Sequence, residues 1–158
     1  MDPGPARAKG DDRGTDAARQ QRLCRPRRIC DYVTPNETEV EELTGIPVHN
    51  VEDAARAAEA LLARGVGAAI ITLGARGAWF HSRDVKRLVP AMNAGPVVET
   101  TGAGDAFNGG FAAALARGDS PEDAVIYGTA VAGISVTRAG TAPSMPSAAE
   151  VAALMAKR

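Results

Sequence analysis

Past residue 30 the apolar positions fall into two kinds of block. "AAIITLG" (68–74) is a continuous apolar run closed by glycine, the pattern of a strand buried on both faces. "GAWFHS" and "KRLVPA" alternate over shorter spans with a turn between them, which predicts two further strands. "DYVTP" predicts a short strand at the start of the patterned region, and "VVET" (97–100) a last extended stretch.

Between these runs the spacing becomes helical. Pro35 opens a helix, with Thr34 as N-cap and Glu37 three residues on, and the helix ends near Gly45. Asn50 caps "VEDAARAAEALLARG", which carries Leu61 and Leu62 on its apolar side and stops at Gly65. A third helix follows Gly104 and runs to about Arg117 before Gly118. Ser120 caps the fourth, with Pro121 at its first position and Glu122 and Asp123 in its first turn; it runs to about Thr137. A last helix starts after Ser147. Strands alternating with helices predict a layered α/β domain with a largely parallel sheet.

Residues 1–30 break this pattern. "AKGDDRGTDAARQQRLCRPRR" has almost no large apolar residues and no period, so it cannot bury enough surface to offset its ordering entropy. We read 1–30 as an irregular basic segment, disordered or frame-shifted, and 31–158 as the folded part. The segment carries eight Lys/Arg against four Asp, a net of +4, and the remainder ten Lys/Arg against fifteen acids, a net of -5. The cluster "RLCRPRR" has no aromatic residue to stack on bases, and the body is acidic, which argues against a nucleic-acid partner. Cys24 and Cys30 lack a nearby His pair and read as incidental thiols.

Composition changes little else. With 45% hydrophobic and 23% charged residues the chain reads as globular. No apolar run approaches the ~20 residues of a membrane span, and no charged-then-apolar leader is visible. No membrane partner and a cytoplasmic location are the expectations.

Three loops at strand ends can carry chemistry, because ligands of open α/β sheets bind there. In "TGAGD", Gly102, Ala103 and Gly104 let a ligand approach the main chain, and their N–H groups head a helix whose dipole favours an anion. Asp105 beside them either accepts a proton from a hydroxyl or merely favours the helix start. In "NETE", Asn36 and Glu39 lie three apart on one helical face and offer oxygens suited to Mg²⁺; the alternative is a solvated acidic face with Glu37, Glu41 and Glu42. "TLGARG" is the third loop. A P-loop and a Rossmann fingerprint are both absent. His49 and His81 have no ligand or triad spacing and read as surface residues.

"TPNETEVEELTGIPV", "AAIITLGARGAW", "TTGAGDAFNGGFAAALARG" and "AVAGISVTRAGTAPSMP" together resemble, in content, order and spacing, the C-terminal, nucleotide-binding half of the ribokinase branch of the PfkB carbohydrate kinase family. The resemblance runs from residue 31 to about 156. It implies a ribokinase-like α/β/α layered fold, truncated at its N-terminal side, and ATP-dependent phosphoryl transfer to a sugar hydroxyl. D-ribose to D-ribose 5-phosphate is the first expectation. Fructose, a deoxy-ketosugar acid or a nucleoside are alternative acceptors, and a non-catalytic nucleotide-binding remnant is the competing reading.

By the same resemblance Asp105 matches the catalytic base and Gly102, Ala103 and Gly104 the anion hole. Asn36 and Glu39 match the N-x-x-E motif that organises Mg²⁺ and phosphates. Thr72, Gly74, Arg76 and Gly77 match a nucleotide-contacting loop, and Thr129 flanks the adenine. Glu99, Thr101, Ser135, Arg138, Gly140 and Ser144 fall at the monovalent-cation (K⁺) positions, several through backbone carbonyls. Glu99 stands where Asp is usual, and Thr129 where Asn or His is usual. The N-terminal half of the family, with most sugar contacts, has no counterpart in the pattern, although "MDPGPAR" resembles a strand end that belongs to it. The segment after it has the look of a shifted reading frame in a GC-rich gene. A homodimer is compatible with the family.

Overall fold

The computed structural model describes residues 29–157. Expectations about residues 1–28, Cys24 included, lie outside the described residues. Cys30, the second thiol, is half-buried and free.

Four strands form one sheet in the order β1 (Cys30–Val33), β2 (Val66–Thr72), β3 (Ala78–Ser82), β4 (Lys86–Val89). β1 and β2 are parallel, joined by a crossover containing α1 (Glu37–Thr44) and α2 (Val51–Ala63). β2–β3 and β3–β4 are antiparallel. The layered α/β expectation holds, but the sheet of the described residues is mixed rather than largely parallel. The reason is loop length: residues 73–77 and 83–85 are too short for a crossover, and such links join only antiparallel strands.

β2 is the centre of the core. Its side chains alternate faces, and both faces are covered. Ala68 and Ile70 pack with Phe80, Val89, Phe107, Phe111 and Val125. Ala69 and Ile71 pack with Val40, Ala54, Ala57, Ala58 and Leu61. Burying a side chain such as Ile70 or Ile71 contributes roughly 1.5–3 kcal/mol. The first face is roofed by α3 (Ala103–Arg117) and α4 (Pro121–Ser135), the second by α1 and α2. α5 (Ala148–Met155) packs on α4 through Val151.

α3 and α4 lie close because small residues face large ones. A Cβ on Gly110 would come 2.7 Å from Val131 Cγ2, and one on Gly128 2.9 Å from Phe107 Cε2. Close-packed interiors have no slack for such atoms.

His81 corrects the sequence reading. It is 2% exposed, not at the surface, and stands on β3 two residues from Trp79, with ring centroids 6.4 Å apart. Two apart on a strand means the same face, and this face meets α2, where Ala55 and Glu59 approach it. No helix among the described residues is long and apolar enough to cross a membrane.

Candidate active site

The sequence-predicted residues gather in two loop clusters. The first lies at the ends of β1 and β2. Asn36, not Thr34, is the N-cap of α1: its side chain accepts from the Glu39 amide at 2.9 Å, and Glu39 Oε2 accepts from the Asn36 amide at 2.9 Å. This capping box satisfies two orphan donors of the helix. The cap sits two residues later than predicted because the chain is still paired with β2 there. The Thr72 amide donates to the Pro35 carbonyl at 2.9 Å, and Asn36 bridges Thr72. The residue before a proline also resists helical geometry. Asn36 therefore caps the helix instead of sharing a helical face with Glu39.

The turn after β2 is a single 3₁₀ turn, Gly74–Arg76. Gly77 closes it at φ +104°, with the Leu73 amide donating to its carbonyl at 2.7 Å. A Cβ on Gly77 would fall 2.0 Å from the Val89 carbonyl oxygen. Arg76, predicted as a nucleotide contact, uses its guanidinium within the protein. Nη2 meets Glu37 Oε1 at 3.1 Å, and Nη1 donates to the His49 carbonyl at 2.8 Å.

The second cluster joins residues 98–105 to the loop after α4. "VVET" forms no strand: Val97 and Val98 are 65% and 62% exposed, and the Val98 amide donates to Val136 O at 2.7 Å. Asn93, Gly95 and Pro96 interrupt the segment, and among the described residues no neighbouring strand pairs with it. Gly102 caps α3 in the left-handed region, φ +80°, and a Cβ there would touch Thr141 Cγ2 at 3.0 Å. α3 starts at Ala103, whose amide donates back to Thr100 O at 3.1 Å. The amides of Gly104 and Asp105 have no acceptor among the described residues. Both residues are exposed in the first turn, with open space about Gly104.

Glu99 ties the two loops together. Its Oε2 accepts from the Gly140 amide at 2.7 Å. That bond, and a second from Thr101, hold its carboxyl below the usual carboxylate value despite partial burial. The Ser144 hydroxyl, buried, donates to Thr141 O at 2.7 Å, and that of Ser135 to Ala132 O at 2.9 Å. The Arg138 guanidinium turns away to pair with Glu150 on α5. Thr129 is 5% exposed inside α4, its hydroxyl donating to Ile126 O at 2.7 Å.

Among the described residues no hydrogen bond joins the two clusters, and no group of three or more His, Cys, Asp or Glu could cage a metal ion. Two cavities of about 340 Å³ lie elsewhere, and neither is lined by a residue of either cluster. Sequence reasoning missed Glu37 as the partner of Arg76, and Thr141 and Val136 as supports of the 98–102 loop. The first pair is 39 residues apart in sequence and carries no local signal.

The chain matches the sequence model of the pfkB family carbohydrate kinases over residues 6–148. It is 39% identical over 122 residues to a ribokinase of Haemophilus influenzae, covering 77% of this chain and 40% of that protein. Over 118 residues it is 42% identical to a deoxyribokinase of Salmonella typhimurium, covering 75% and 38% respectively. The structure of Arabidopsis thaliana ribokinase complexed with ribose and ATP superposes with a TM-score of 0.75 at 34% identity, covering 79% of this chain and 40% of that one. The chain thus spans about two fifths of the length of these relatives.

Proposed function

Because the chain belongs to the pfkB family of carbohydrate kinases, we propose that it forms the nucleotide side of an ATP-dependent phosphotransferase acting on a sugar hydroxyl. The carrying observation is the exposed first turn of α3, where Asp105 is joined by two amides, those of Gly104 and Asp105, that donate to no acceptor among the described residues. A helix N-terminus adds about half a positive charge there. In the reaction Asp105 takes the proton of the acceptor hydroxyl as its oxygen bonds to the γ-phosphorus. The bond from phosphorus to the bridging oxygen breaks and ADP leaves. Negative charge spread over the transferring oxygens meets the two amides. Ala103, whose amide serves Thr100, and Gly102, which shapes the turn, support this hole rather than line it.

Asn36, Glu39, Thr72, Gly74 and Gly77 form the nucleotide side of the site, and Thr129 belongs to the helix behind it. Mg²⁺ fits: Oε2 of Glu39 serves the capping box while the other carboxylate oxygen stays outside it, and no protein cage is present among the described residues. Such an ion is held mostly by phosphates and water, and supplies charge neutralisation. A monovalent cation such as K⁺ fits the ionised Glu99 with Thr101, Ser135, Gly140, Ser144 and the backbone at Arg138. Ser135 and Ser144 donate their protons to carbonyls, which leaves oxygen lone pairs for a cation.

Ribose is the first acceptor to test, because the relatives are named for ribose and deoxyribose. Fructose, a deoxy-ketosugar acid and a nucleoside come next. A second reading, a nucleotide-binding module without turnover, is favoured by the two cavities, neither of which is lined by Asp105. Isothermal titration with Mg-ATP and a ribose phosphorylation assay separate the two. Binding with turnover supports the kinase, binding alone supports the module, and neither result removes both.

A further inference from the structure

Arg76 makes the connection that neither the family match nor the motif reading assigns. It sits on a rigid base: its amide donates to Leu73 O at 3.1 Å, the Gly77 amide to Gly74 O at 3.1 Å, and Gly77 abuts the backbone after β4. From there its two terminal nitrogens diverge. One meets Glu37, the first residue of α1, beside the Asn36–Glu39 box. The other meets the carbonyl of His49, which directly precedes the Asn50 cap of α2. His49 is itself tethered, its amide donating to Asp53 at 3.0 Å.

We propose that Arg76 is a positioning residue rather than a nucleotide ligand: one guanidinium clamps the N-termini of α1 and α2 to the turn after β2, fixing Asn36 and Glu39 relative to Thr72–Gly77. Two acceptors in different directions need the planar fork of arginine; a lysine ammonium offers one point charge. The value of this geometry for nucleotide binding rests on the function proposed above; the clamp itself does not.

The test uses the full chain in four forms: native, Arg76→Ala, Arg76→Lys and Glu37→Ala. Amide hydrogen exchange at Glu39, Asp53 and Thr72 is read by NMR, and Mg-ATP affinity by calorimetry. Both partners are about two-fifths exposed at the side chain, so the variants fold. We expect exchange at Glu39 and Thr72 to rise about 3- to 10-fold in all three variants, with Mg-ATP affinity falling in parallel. Glu37→Ala is decisive, because it frees the guanidinium for a nucleotide. Unchanged exchange in Arg76→Ala overturns the clamp. Weakened Mg-ATP binding in Arg76→Ala with unchanged or tighter binding in Glu37→Ala also overturns it and makes Arg76 a ligand. Raised exchange in the variants, when the native chain itself binds no Mg-ATP, supports the clamp and removes the nucleotide reading alone.

Discussion

Asp105 and its neighbours respond to substitution according to backbone geometry and the space around them. Asp105 is exposed in the first turn of α3, and among the described residues its side chain accepts no hydrogen bond. Carried into a full-length relative, Asp105→Asn is expected to lower kcat by about 10²–10⁴-fold with little change in melting temperature. A rate equal to the parent's removes Asp105 from the chemistry. Gly77 and Gly104 make a contrasting pair. At Gly77, φ is +104° and a Cβ would overlap the Val89 carbonyl, so Gly77→Ala should cost at least ~1–3 kcal/mol in urea unfolding. Gly104 has ordinary helical φ and open space. Gly104→Ala should leave stability within about 0.5 kcal/mol, and any loss of Mg-ATP affinity then reports on the anion hole. The glycines were legible in the sequence as turn residues. Which of them is packed and which is open was not, because the contact of Gly77 with Val89 depends on how β4 returns.

At the scale of elements, periodicity located β2 because both its faces are apolar and its run, with β-branched Ile70, Ile71 and Thr72, closes at Gly74. It misplaced the start of α1 and the nature of 97–100, where pairing partners decide. Thr34 has the right side chain for a cap, but the backbone at Pro35 is occupied by Thr72. Asn36→Ala should therefore cost about 1 kcal/mol, while Thr34→Ala leaves the α1 cap intact; thermal unfolding of both variants checks this. His81 was misread because a polar residue on an alternating strand looks like an outward position, while β3 is covered by a helix on each face. Burial pushes its pKa below the ordinary 6.5, with Lys86 acting in the same direction and Glu59 and the Ala55 backbone opposing. The sign follows from proton binding: the unfolded chain takes up the proton first as pH falls. The contribution of neutral His81 is full above about pH 6.5 and is lost as pH falls towards its folded value. The melting temperature of the native chain should fall between pH 7.5 and 5.5 more steeply than that of His81→Leu. Equal slopes mean that His81 does not titrate in this range.

Charge decides the last question, which belongs to the molecule as a whole. Residues 31–158 carry a net of -5, and four of their acids, Glu37, Glu39, Glu99 and Asp105, fall in the clusters where phosphates are proposed to bind. Arg76, within the first cluster, is engaged by Glu37 and His49, and Arg138 by Glu150. Free ATP, with its full phosphate charge, thus meets described residues whose guanidinium groups are already paired and helix N-termini that each offer about half a positive charge. Unlike a P-loop, the site has no lysine following its glycines. A divalent ion must supply what the side chains do not. ATP titrated into the chain with EDTA should bind at least about tenfold more weakly than Mg-ATP, a difference of about 1.4 kcal/mol. Equal affinities in calorimetry overturn this charge argument and redirect attention to the basic residues 1–28. Ribose added to the Mg-ATP complex should bring no turnover from this chain alone, because none of the residues named above is assigned to reading sugar hydroxyls and neither cavity adjoins Asp105. Ribose 5-phosphate appearing in that assay shows instead that the chain builds its own acceptor pocket.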